Sequence, residues 1–358
     1  MDDINIEIKQ LIPLKNCTVK ENQRENKYIK MIRPYDFFSV NEANICKKIK
    51  LIPYYSCYYH VLQEYSLIEV LNMNNQKEKE EININKEINI NKERKEGKHL
   101  LFKYFNKKYA KFNDFFIHLS PPKLLILHVI ESYSYLLNTL QQLHKHNICF
   151  FDLSDENILF DIECGEKPVL QGFQKGLQME KISEKYIKTI IKNIDNFTYK
   201  PLEVHVLFYL IENDMKTLSY SFIETICEKF VDNVNELYLL NEQFKEDCIL
   251  SLQKYINKPK IEIIMDILSD YVSWDNYSLS LLYLPIICSI CQIFSLKNTF
   301  MNHLLNHLIK NIHPDPSKRE NSYQTKANLE NLYSEFLDWS FLTSLPLEKM
   351  EDVRDFFN

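Results

Sequence analysis

Two residues with the means for proton and metal chemistry, Asp152 and Asn157, stand five positions apart between a helical stretch and an apolar run, Ile158-Leu159-Phe160. A carboxylate so placed can accept a proton from an attacking hydroxyl, and an amide oxygen beside it can hold a metal ion next to phosphates. Asp155 and Glu156, between them, read as solvated loop carboxylates. No glycine-rich cradle for phosphate is available, because the chain has four glycines, at 97, 165, 172 and 176, and such cradles need several close together.

The elements that must position this pair follow from periodicity. Ile126, Val129, Tyr133, Leu136, Leu140 and Leu143 recur at spacings of three and four, which predicts an amphipathic helix running into the Asp152 loop. The same spacing recurs in Ile223, Ile226, Phe230, Val234 and Leu237, and in Ile261, Ile264, Leu268 and Tyr271. Residues 1–70 read as short β-rich segments: Ile4, Ile6 and Ile8 alternate with polar residues, 28–32 looks like a strand, and 54–62 is aromatic and apolar. Glu42, Ile45 and Ile49 share a helical face among them. From 72 to 98 the composition collapses to Asn, Lys, Glu and Ile, with EININK repeated at 81–86 and 87–92, which predicts a floppy inserted loop or an exposed hairpin.

Composition sets the class. With 358 residues, 45% hydrophobic and 26% charged, the chain is long enough for a sizeable globular core, and a net charge of −6 argues against a dedicated nucleic-acid binder. Nine cysteines, an odd number, do not form a disulfide framework, and Cys288 and Cys291, spaced as CxxC inside an apolar run, lack a second pair for zinc. Buried free thiols and no visible secretory signal are the expectation, and with them a cytoplasmic location. The uncharged run 277–296 has the length of a bilayer span, yet Ser278, Ser280, Pro285 and Gln292 interrupt it, as in a buried core helix.

Four stretches in order resemble the protein kinase superfamily. Asp152-Leu153-Ser154-Asp155-Glu156-Asn157 is similar to its catalytic loop, with Phe150-Phe151 in place of His-Arg. Tyr199-Lys200-Pro201-Leu202-Glu203 resembles the Ala-Pro-Glu closing the activation segment, and Trp274-Asp275-Asn276-Tyr277-Ser278-Leu279-Ser280 resembles the opening of the central buried helix. His313-Pro314-Asp315-Pro316-Ser317-Lys318-Arg319 resembles the late motif whose arginine pairs with the Ala-Pro-Glu carboxylate. The matched positions extend from about residue 27 to 320. The resemblance implies an α+β, two-lobed fold: a small β-rich N-lobe (1–105, with the low-complexity insertion 72–98) and a larger helical C-lobe (106–358). A helical insertion at about 204–270 either thickens the large lobe or docks a partner. The loop and Asp275-Asn276-Tyr277-Ser278-Leu279-Ser280 are also similar to kinase-like proteins of large DNA viruses, which would place the chain in host cytoplasm or virion.

By resemblance, Asp152 is the catalytic base and Asn157 a magnesium ligand. Lys30 (or Lys27) and Glu42 are the lysine–glutamate pair that grips the ATP phosphates, and Glu203, Asp275 and Arg319 are structural. Two departures weigh against full activity: the missing glycine loop, and Gly172 where the magnesium-binding Asp of Asp-Phe-Gly belongs, Phe173 holding register. Ser154 also stands where the family has a lysine that steadies the γ-phosphate. Asp161, Glu163 and Glu166 are the candidate substitute acids. The expectation is a pseudokinase or severely weakened Ser/Thr kinase that binds or regulates a protein partner, with ATP and Mg weakly bound or not at all. The alternative is an active divergent kinase transferring the ATP γ-phosphate to a protein hydroxyl. Neither nucleic acid nor membrane is an expected partner, and the sequence leaves the oligomeric state open.

Overall fold

The computed structural model describes residues 8–13, 27–71, 98–194, 197–235, 242–336 and 338–357. The segment 72–97 and the connection 14–26, on which the inserted-loop and glycine-loop expectations fall, lie outside the described residues, as do Ile4 and Ile6.

The protein is α+β, with its strands in small sheets and most of the chain helical. Strands β1 (Ile8–Pro13) and β2 (Tyr28–Pro34), helix α1 (Phe37–Ile49) and strands β3 (Glu64–Leu71) and β4 (Lys98–Phe105) make a sheet of order β1-β3-β4-β2 with one helix beside it. Strand β4 lies inside the sheet, with Leu100, Leu101, Phe102 and Tyr104 buried, and it pairs antiparallel with β2 (Lys30 opposite Lys103) and with β3 (Leu67 opposite Leu100). Helix α1 starts where the Asp36 carboxylate accepts the Ser39 N–H at 2.8 Å, and its last turn carries Lys47 and Lys48, charges favoured at a helix C-terminus. Residues 54–62, expected to be strand, are instead a turn with a short 3-10 helix at Tyr55–Cys57 and a single bridge from Tyr59 to Leu170. Tyr54 adopts a left-handed conformation (φ 56°), which no strand accommodates.

The remainder begins with β5 (Tyr109–Lys111), α2 (Phe112–Ile117) and α3 (Pro122–Lys145), which carries a proline at its first position. Then come β6 (Ile148–Cys149), β7 (Ile158–Asp161), β8 (Lys167–Leu170), β9 (Leu177–Gln178), α4 (Glu184–Ile191) and α5 (Leu202–Glu212). Helices α6 (Tyr220–Asn235), α7 (Glu242–Leu252) and α8 (Lys260–Ser269) fill the long stretch before the central helix α9 (Trp274–Ile293). Helices α10 (Phe300–Asn311), α11 (Ser322–Glu335) and α12 (Met350–Phe357) follow. Strands β6 and β9 pair with each other, and β5, β7 and β8 form a small antiparallel sheet. Short ribbons of this kind do not stand alone and here rest on α3.

Helix α9 is buried on every side from Trp274 to Leu284, which is why that part of its sequence has no polar face. It is long and apolar enough to cross a bilayer, but 72% of its apolar window lies inside the protein. Three of its polar side chains bond to neighbouring segments. The Ser278 hydroxyl donates to the Tyr199 carbonyl at 2.7 Å, Ser280 meets Tyr133 and Asn311 at 3.2 and 3.1 Å, and Tyr283 donates to Ser132 at 2.9 Å. Each bond ties α9 to a neighbour. A lone lipid-facing helix has no such partners to offer.

Candidate functional site

The loop between β6 and β7 is shaped by a carboxylate that lies far away in sequence. Asp275, fully buried at the start of α9, accepts the backbone N–H of Phe150 at 2.8 Å and of Phe151 at 2.7 Å, His144 Nε2 at 3.0 Å and the Cys149 thiol at 3.5 Å. Phe151 is thereby held at φ 68°, a region costly for an aromatic residue and maintained only when the surroundings impose it. The two phenylalanines that replace His-Arg are core residues. Phe151 packs on Trp274 at 5.8 Å, while Phe150 meets Phe173 edge-on at 5.2 Å and Phe173 meets Tyr59 at 6.0 Å.

Beyond Phe151 the chain presents Asp152, and both of its oxygens are taken by lysines. Lys200 Nζ lies 3.0 Å from Oδ1 and also donates to the Phe151 carbonyl at 2.8 Å; Lys175 Nζ lies 3.4 Å from Oδ2. The Asp152 side chain is 23% exposed, Lys175 14% and Lys200 2%. Burial raises the Asp152 carboxyl pKa, but the charges and hydrogen bonds of Lys200 and Lys175 outweigh it and hold the group below its usual range. It is a carboxylate at neutral pH.

Asn157 is equally engaged. Its Oδ1 accepts the Ser154 hydroxyl at 2.8 Å, its Nδ2 faces the Gln171 carbonyl at 3.4 Å, and its own carbonyl accepts the Gln171 N–H at 2.9 Å. These bonds carry the chain from β8 to Gly172, which sits at φ 80° and ψ 59°. A Cβ at that position would stand 2.8 Å from Asn157 Nδ2, so glycine fits both the backbone angle and the space.

A divalent metal does not fit these residues. Position 172 offers no side-chain ligand, the Asn157 oxygen is spent on Ser154, and the Asp152 oxygens are spent on two ammonium groups that would repel a cation. No set of three or more His, Cys, Asp or Glu gathers anywhere among the described residues. The substitute acids lie elsewhere. Asp161 is at the far end of β7, about 13 Å along the chain from Asn157, bound to Lys107 at 2.7 Å and to the Glu163 N–H at 3.2 Å. Glu166 faces His128 at 3.1 Å.

Glu42 and Lys30 stand in different surroundings. Glu42 is buried on α1 and accepts the Tyr104 hydroxyl at 3.0 Å; burial raises its pKa, against that bond and the charge of Arg33. Lys30 is an exposed residue of β2, and Lys27 lies over the rings of Tyr28 and Phe105 at 5.6 and 5.7 Å. Helix α1 is instead fixed by the residue before Glu42. Asn41 Nδ2 donates to the carbonyls of Gln174 (3.0 Å) and Gly176 (2.9 Å), and its Oδ1 accepts from Gln178 Nε2 (3.0 Å) and the Tyr186 hydroxyl (2.9 Å). Gly176 permits that approach, since a Cβ there would lie 2.9 Å from Ile45 Cδ1.

The remaining pair does meet. The Arg319 guanidinium binds both oxygens of Glu203, Nη1 to Oε2 at 3.2 Å and Nη2 to Oε1, in a buried position where it also reaches Ser273 at 3.1 Å and lies over the Tyr277 ring at 5.4 Å. Lys200, Lys175 and Asn41 went unassigned in the sequence. Lys200 stands beside Pro201-Leu202-Glu203 and Lys175 two residues beyond Phe173, but no local pattern marks a lysine that will fold back onto Asp152 from 48 or 23 residues away. No protein-family model matches the chain, and neither does any curated protein sequence.

Proposed function

We propose that the chain is a protein-kinase-like protein of the pseudokinase type, whose work is to bind or regulate a protein partner. Several placements support the kinase-like reading: one helix beside a small sheet, the Asp152 loop hung from Asp275, Lys175 and Lys200 meeting Asp152, and Glu203 bound to Arg319. The observation that carries the non-catalytic part is the state of Asp152. Both its oxygens face lysine ammonium groups, and no carboxylate stands at 172 to bring a metal to a phosphate. A general base needs a free oxygen within reach of the hydroxyl it deprotonates, and phosphoryl transfer needs the metal to offset charge.

The test is a phosphotransfer assay of the whole chain with ATP and magnesium or manganese, on generic protein substrates and on itself, with Asp152→Asn as control. The expected result is no incorporation that depends on Asp152. Incorporation abolished by Asp152→Asn would overturn the reading in favour of a divergent Ser/Thr kinase with Asp152 as its base.

A further inference from the structure

Helix α8 is apolar on two sides, and only one of them is used inside the chain. Ile263, Ile264 and Ile267 are buried, whereas Ile261 and Met265, one turn apart, are 62% and 64% exposed. Leu268, half-buried, follows on the next turn. Spacings of four and three put these last three side chains on one outward face. A surface helix ordinarily turns polar residues to water on that side, and a helix apolar all round is covered all round. An outward apolar strip, unlike a single exposed residue, marks a contact surface.

The charges around the strip indicate what covers it. Lys260 lies 3.2 Å from Glu184 and 3.5 Å from Asp214, and Lys254 lies 2.8 Å from Asp266. These charges are largely offset within the chain, so a strongly acidic or basic partner gains little here. Lys258 and Glu262 are left, both exposed and with no ion pair among the described residues. They carry opposite signs, Lys258 just before the helix and Glu262 in its first turn. A two-fold axis across the strip lays two α8 helices antiparallel and reverses that order in the second copy. Each lysine then approaches the other copy's glutamate, while the apolar strips meet each other. Antiparallel helices also set their dipoles in opposition, which is the favourable sense. Elsewhere the net charge of −6 sets one copy against another, and a surface with its charges so paired is where two copies can meet.

We propose that the outer face of α8 is a self-association surface, occupied by α8 of a second copy about a two-fold axis. The helix has ten residues, about 15 Å of length, which is small for an interface, so the dimer is weak and forms as concentration rises. The proposal is independent of whether the Asp152 loop transfers phosphate, because α8 belongs to the stretch between Glu203 and α9.

The experiment is sedimentation equilibrium of the full chain over about 1–100 µM, the range of a weak dimer. The mass should rise from one copy toward two. Ile261→Asp and Met265→Asp should each raise the dissociation constant about tenfold or more. The melting temperature of the dilute protein should be kept in both, since these side chains already face water. Lys258→Glu and Glu262→Lys should each weaken the dimer, and the two together in one chain should restore it. Leu51→Asp, at an apolar residue 75% exposed just beyond α1, should leave the dimer as it was. Three results would each overturn the proposal. They are a chain that stays monomeric across the range, which would leave the strip to a different protein; a dimer that persists in Ile261→Asp and Met265→Asp; and a double charge reversal that fails to recover the association.

Discussion

Asp152 has a structural duty: it balances the charge of Lys200. Lys200 is buried, and burial pulls its ammonium pKa below the usual lysine value; Asp152 is the charge that opposes this. Removing one member of a buried pair leaves the other uncompensated, which costs about 3 kcal/mol. Asp152→Asn is therefore expected to lower unfolding stability by that order, measured in urea, and Lys200→Met placed on top of it should recover much of the loss. A carboxylate retained only for chemistry predicts the opposite: little change in stability on Asp152→Asn, and no recovery in the double variant. Asn157 has a similar structural duty, since its side chain bridges Ser154 and the Gln171 carbonyl and closes the turn into Gly172.

At the level of elements, α1 and the segment after Gly172 behave as one unit. The four side-chain bonds of Asn41, the contact of Ile45 with Gly176 and the Lys48–Glu180 pair at 2.6 Å all join the helix to that segment. The surface pair contributes little, but the buried amide leaves carbonyls and a glutamine unpartnered when it is removed. Asn41→Ala should cost about 2–4 kcal/mol. It should also raise amide hydrogen exchange across 174–187 and the buried face of α1 together. Exchange that rises in only one of the two would show that they open independently. Farther along, α6, α7 and α8 bury Ile223, Phe230, Cys248, Ile263 and Ile267.

Across the whole molecule, two histidines shifted by burial predict a loss of stability in acid. His205 on α5 is buried between Phe197 and Phe230, at 5.2 and 5.0 Å, and its Nε2 has no partner. Burial lowers its pKa to about 4, in spite of hydrogen bonds to the backbone of Lys200 and Phe197. A histidine whose folded pKa lies below its unfolded value near 6.5 binds more protons when unfolded, so its contribution is complete above pH 6.5 and is lost as pH falls from there toward 4. For His205 the loss amounts to roughly 3 kcal/mol at the lower end. His60, lowered to about 4 by burial and then by Lys107, acts in the same direction. Melting temperature should fall steadily from pH 6.5 to 4, and His205→Phe should flatten that fall; an unchanged profile in the variant would remove His205 as its cause.

The sequence by itself determined what depends on neighbours along the chain. Helix α3 was readable from apolar spacing, α9 as a buried core helix from its lack of charge and its scattered serines, and the Asp152–Asn157 spacing was in plain view because both lie on one loop. Strand β2 was legible for the same reason. The turn at 54–62 was misread, because an aromatic-rich run has strand propensity and only tertiary packing holds Tyr54 left-handed. The tertiary structure decided everything that depends on charges meeting across the fold: Lys200 and Lys175 on Asp152, Asp275 beneath the loop, Glu42 on Tyr104, and Asn41 as the fixing point of α1. Periodicity encodes which face of an element is buried. It does not encode which side chain of a distant element will stand opposite, and in this protein that opposite side chain determines whether a carboxylate is free to act or is already bound.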